Sequence, residues 1–94
     1  MAKRIRSHSF RGKRYKIIDV PSRKKNEFDG YCDPPQNLDK TLAINEKLTD
    51  LRHLETVIHE SIHACVFDLT EQAVSTSAHD IASLLWRLGY RKMK

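Results

Sequence analysis

His59, Glu60 and His63 stand in the order H-E-x-x-H within the stretch VIHESIHACVFDLTEQAV, residues 57–74. On a helix, side chains four positions apart lie on one face, about one turn apart. Two imidazoles at that spacing can hold one tetrahedral zinc ion through bonds of about 2.0–2.1 Å. Glu60, one position past the first histidine, projects about 100° around the same helix. From there its carboxylate can take a proton from a water at an open metal position as that water attacks a carbonyl. The plain alternative is two histidines on an ordinary amphipathic helix. Context separates the two, because the triplet sits inside a regular apolar stripe and is followed by the small Ala64.

That stripe is Leu51, Leu54, Ile58, Ile62 and Cys65, advancing in steps of three and four as one helix face does. Thr49 or Asp50 is the expected N-cap, and the helix is expected to end near Phe67. Thr70 is a good N-cap for a second helix, with Glu71 favoured in its first turn by the helix dipole. Val74, Ala78, Ile81, Leu85 and Leu88 form its expected core stripe, and Gly89 sits where a helix-ending glycine belongs. The short link makes the two helices antiparallel neighbours.

A zinc site of this kind needs a third protein ligand, and the second helix offers Glu71, His79 and Asp80. Extending its apolar stripe backwards by one step of three reaches Glu71, a carboxylate where an apolar residue is expected. A buried carboxylate requires a partner, and the helical hairpin sets the first turn of helix two beside the last turns of helix one, near His63. Glu71 therefore leads. His79 and Asp80 lie about 100° to either side of the stripe and remain the other candidates on this helix, with a ligand outside it also open. Either could instead orient a metal-bound imidazole through its free N–H. A continuation with glycine at position 66 and histidine at position 69 would supply a different third ligand, but the chain has Val66 and Leu69 there.

Upstream, SFRGKRYKIIDV reads as strand, turn and strand, with Gly12 at the turn. Residues 21–30 are a loop by composition, and Pro34-Pro35 bars helix from YCDPPQNLDK. TLAIN, residues 41–45, is a further short strand. The expected fold class is α+β, a small antiparallel sheet of about three strands followed by an antiparallel helix pair, all in a single domain over residues 1–94.

An H-E-x-x-H helix followed closely by a glutamate-bearing helix resembles the gluzincin branch of zinc metallopeptidases. HESIHA and the ending DIASLLWRLGYR are similar to small phage and bacterial proteins of the ImmA/IrrE-like and SprT-like kind. The resemblance implies a minimal zincin-like domain with one Zn2+ per chain, held by His59, His63 and Glu71, and Glu60 as the catalytic base. It implies a peptide or protein substrate taken alongside an edge strand of the sheet, for which TLAIN is the candidate. Zincins also place a Tyr, His or Arg near the scissile carbonyl, and Tyr31, His79 and Tyr90 could serve. Cys65 on the apolar stripe reads as a buried thiol, whereas Cys32 in a proline-rich turn could approach the metal.

The net charge of +5 is unevenly spread. Residues 1–25 carry ten Lys or Arg against one acid, Asp19, while the rest of the chain carries seven against eleven. A basic first third can dock nucleic acid or a protein partner, and the alternative expectation is then a non-catalytic, zinc-stabilised binding protein. No nucleic-acid-binding motif accompanies it, and a solvated tail and charged strand face is the plainer account. No run of about 18 apolar residues is present, so no membrane span is expected. The basic start lacks the apolar segment of a secretory signal, and two cysteines in unlike settings make no disulfide framework. A cytoplasmic setting is the expectation.

Overall fold

The computed structural model describes residues 6–20, 29–48 and 50–92. Four strands precede two helices: β1 Ser7–Phe10, β2 Lys13–Val20, β3 Gly30–Cys32, β4 Thr41–Asn45, α1 Asp50–Cys65 and α2 Glu71–Arg87. The class is α+β, as the sequence implies. The sheet has one strand more than expected and is mixed, in the order β1-β2-β4-β3. β1 and β2 form the expected hairpin, with Phe10 opposite Lys13 and a two-residue turn. Arg11 and Gly12 in that turn both have positive φ, 49° and 81°, the twist a tight hairpin of this kind requires. The link after β2 returns the chain so that β4 pairs with it in parallel, Ile17 opposite Leu42. β3 falls within that link and closes on β4 antiparallel, Cys32 opposite Leu42.

TLAIN is therefore an inner strand, not the expected edge. Its Leu42, Ala43, Ile44 and Asn45 are all buried, flanked by β2 on one side and β3 on the other. The edge beside α1 is β3, cut to three residues by Pro34-Pro35, since proline cannot continue a ladder.

The pleat sends Tyr15, Ile17, Leu42, Ile44, Gly30 and Cys32 to one face. Tyr15, Leu42 and Ile44 are buried there with Ala64 of α1, and Phe10, Cys32, Leu48 and Val57 pack around them. Against the sheet α1 turns Thr56, Glu60 and Ala64, its three buried residues, and not the apolar stripe read from the sequence. That stripe lies about 180° around α1, half-buried on the side where α2 packs. The molecule is thus layered as sheet, α1, α2, and the middle helix has two faces to cover.

α2 begins as expected: the Thr70 side chain accepts from Ala73 N at 3.1 Å, satisfying one otherwise unpaired amide of the first turn. At its end Gly89, at φ 99°, donates to Trp86 O, while Tyr90 donates to Leu85 O. This is the paired-bond closure that favours glycine just past a helix. Its buried line is Val74, Ala78 and Ala82. Ile81 and Leu88, placed in the core by spacing, are exposed, because among the described elements α2 packs closely on α1 and only a narrow strip of small residues meets it. The expected N-cap position Thr49, most of the loop over 21–30 and half the basic residues of the first third (Lys3, Arg4, Arg23, Lys24 and Lys25) lie outside the described residues.

Candidate metal centre

The third turn of α1 carries His59 and the fourth His63, and their rings stand edge to face with centroids 4.9 Å apart. The tight link of residues 66–70 folds α2 back so that its first residue arrives beside them. His59 Nε2 lies 2.9 Å from Glu71 Oε2, and His63 Nε2 lies 3.0 Å from Glu71 Oε1. One ligand atom from each of the three residues falls within 4.8 Å of the others, so the group can hold a metal ion. Tetrahedral bonds of about 2.0–2.1 Å place neighbouring ligand atoms about 3.3 Å apart, a spacing close to that of the two histidine–carboxylate contacts. Two imidazoles and one carboxylate are a donor set that can hold a divalent metal ion.

Glu71 reaches this place differently from the sequence expectation. Its side chain is 69% exposed, at the rim and not in the core, and it is held by what it touches instead of by burial. Ser75, one turn along α2, donates to Glu71 Oε2 at 3.3 Å. Partial burial acts to raise the Glu71 pKa, but the positive field of His59 and the bonds from His63 and Ser75 outweigh it and hold the carboxyl below its ordinary range.

Glu60 is the buried member. At 7% exposed it lies between α1 and the start of β3. Burial there pushes its carboxyl up from 4.5 to about 7, and the negative charge of Glu71 adds to the rise. Gly30 makes the close approach possible. A Cβ at that position would stand 2.6 Å from Ala43 O, 3.1 Å from Thr56 Cγ2 and 3.3 Å from Glu60 Cγ. A cleft of 450 Å³ opens over the group, lined by Asp29, Gly30, Arg52, Glu55, Thr56, His59, Glu60 and Glu71. A larger cavity of 930 Å³ lies elsewhere, around Leu54, Val57 and Trp86, and touches none of His59, Glu60, His63 or Glu71. Size does not locate the chemistry here; the convergent donors do.

Comparison with models of known protein families, with curated proteins and with solved structures finds no match.

The other residues singled out by sequence fall into different places. His79 is exposed and its Nδ1 lies 3.4 Å from Glu55 Oε1, across the interface between the helices and one turn before His59. Asp80 is exposed on α2 and is not among the grouped ligand residues. Tyr31 shares a sheet face with Ala43, opposite to the Gly30 and Cys32 face that meets α1, so the pleat turns it from the cleft. Tyr90 lines the larger cavity instead. Cys32 packs against the core and its Sγ donates to Asp33 O at 3.6 Å; burial raises its pKa to about 11, which makes it a poor thiolate. Sequence reading missed Ser75, Gly30, and the Asp29–Arg52 ion pair at the cleft rim. Only Ser75 carried a signal, four positions past Glu71 on the same helix face.

Arg6, Arg11, Lys13, Arg14 and Lys16 are exposed on the β1–β2 hairpin. Two have local structural partners: Arg11 donates to Cys65 O at the end of α1, where the helix dipole favours a cation, and Arg14 donates to Ser7 Oγ. No helix among the described residues is long and apolar enough to cross a membrane.

Proposed function

We propose that this chain is a minimal zinc metallopeptidase of gluzincin type. The observation that carries the reading is the closure of His59 and His63 on the two oxygens of one carboxylate, Glu71, beside a buried second carboxylate, Glu60. His59, His63 and Glu71 would hold the ion. A bound zinc supplies a Lewis acid that lowers the pKa of water and polarises the carbonyl under attack. Glu60 then has the work of a general base. It takes a proton from the attacking water and returns it to the departing amine, a task suited to a carboxyl whose pKa lies near neutrality. Ser75 keeps Glu71 turned toward the histidines, and the short edge strand β3, lying along the Glu60 side of the cleft, is where an extended peptide would run.

The test pairs two variants. Glu60→Gln keeps the metal donors and is expected to bind one zinc per chain while losing peptide hydrolysis by at least about a hundredfold. Glu71→Ala is expected to lose zinc at the concentration that saturates the wild type, read by elemental analysis after dialysis. A Glu60→Gln protein that hydrolyses peptide as fast as wild type ends the assignment of the base. Undiminished zinc in Glu71→Ala ends the ligand assignment.

A further inference from the structure

The outer side of α2 carries an exposed apolar line that neither the fold nor the metal centre uses. Ile81, Leu84 and Leu88 are 43%, 55% and 65% exposed. With the exposed Ser77 they recur in steps of four, three and four, a seam along one helix face. α2 is the outermost layer, packing on α1 by Val74, Ala78 and Ala82 on another side.

The charges beside the seam say what can cover it. Asp80 and Arg87, both exposed, are seven positions apart and so lie on the same flank, the flank away from Ala78 and α1. When two copies of one helix pack antiparallel about a two-fold axis, like flanks face each other. Ile81 then packs against Leu84 of the second copy, and Asp80 of each chain faces Arg87 of the other, twice by symmetry. A parallel pairing would instead turn the Asp80 and Arg87 flank toward the side where α1 packs. We infer that the Ile81–Leu84–Leu88 face of α2 is a homodimer interface, formed by antiparallel packing of α2 on α2 from a second copy of this chain, with Asp80–Arg87 ion pairs at both ends. Glu71 lies toward α1, about 110° around α2 from the seam, so the metal donors are not part of this interface.

Sedimentation equilibrium of the full chain at micromolar to millimolar concentration tests this. The wild type is expected to dimerise reversibly. Leu84→Glu is expected to be monomeric across that range while keeping the wild-type circular dichroism spectrum. Asp80→Arg and Arg87→Asp each set like charges together at both ends, and each is expected to weaken dimerisation by at least about tenfold. The double variant Asp80→Arg/Arg87→Asp re-forms both pairs with their signs exchanged and is expected to return to within about threefold of wild type. A wild type that stays monomeric at millimolar concentration overturns the inference. So do single charge variants that leave the dimer unchanged, and a double variant that fails to recover.

Discussion

Glu60→Gln should change how the stability of the metal-free protein depends on pH, and the sign follows from where Glu60 sits. Its carboxyl is buried beside Glu71, and its pKa stands at about 7 against an ordinary 4.5. Between those values the folded chain keeps the proton while the unfolded chain has released it. Folding is therefore assisted fully below pH 4.5, and that assistance is lost as pH rises through 7. The span from 4.5 to about 7 corresponds to about 3 kcal/mol, a large share of the stability of so small a domain. Glutamine does not titrate, so the variant should lack this loss. Urea unfolding in the presence of a chelator, followed by circular dichroism from pH 4 to pH 8, gives the difference between the two proteins. The other titrating groups are common to both and largely cancel. The variant is expected to gain on wild type steadily across this window, by about 3 kcal/mol at its upper end. A difference that stays flat with pH would refute the claim that burial and Glu71 hold this carboxyl protonated. Added zinc should shrink the pH-dependent difference, because a nearby cation favours the ionised carboxylate.

Gly30→Ala should destabilise by about 1–3 kcal/mol in chemical denaturation, since the new methyl group meets Ala43 O at 2.6 Å and the Thr56 and Glu60 side chains of α1; a neutral outcome would mean that β3 is not clamped against α1. Thr70→Ala should cost about 1 kcal/mol by removing the bond to Ala73 N, and its zinc affinity should fall with it if the start of α2 is what delivers Glu71. Ser75→Ala should leave thermal stability nearly unchanged yet weaken zinc binding by about 10–100-fold, measured by competition with a chelating dye.

The helices were legible in the sequence because capping and periodicity are local. Thr70, Gly89 and the spacing of the histidines each act within a turn or two of chain, and the structure has them where local chemistry requires. The sheet was less legible. Whether TLAIN lies at an edge or in the middle depends on a parallel pairing with β2 across the intervening link, and no residue in TLAIN encodes that partner. Three residues of β3 are too few for a periodic signal, and their place as a strand comes from pairing with β4. The buried faces were misread for a related reason. A stripe of large apolar residues marks a helix face that avoids water, but α1 is covered on two sides, and the tighter side went to Thr56, Glu60 and Ala64. Small and polar residues win there because the helix lies close to Gly30, where bulk has no room.

The same distinction applies to Glu71, which faces α1 without being buried. Reading it as core-facing required that the stripe of α2 be buried through its first turn, yet the carboxylate is mostly exposed. What survives is the direction. A residue one step before Val74 on the α1-facing side of α2 points at α1 whether or not water also reaches it, and the short link fixes which turn of α1 it meets. Position along a helix face is a local property, whereas burial depends on the size of the neighbour, and α1 ends at Cys65 before it can cover the start of α2. Exposure at this point also fits the chemistry proposed. A ligand set closed on all sides would leave an ion no open position, while two half-buried histidines and a rim carboxylate leave the cleft side free for a water and a carbonyl to enter. Glu60 has the opposite requirement and the opposite setting, buried on the sheet side where its proton affinity is raised. Two glutamates eleven positions apart thus receive different roles from one feature of the fold, the sheet covering one side of α1 while the other carboxylate stands at the open end of the helix pair.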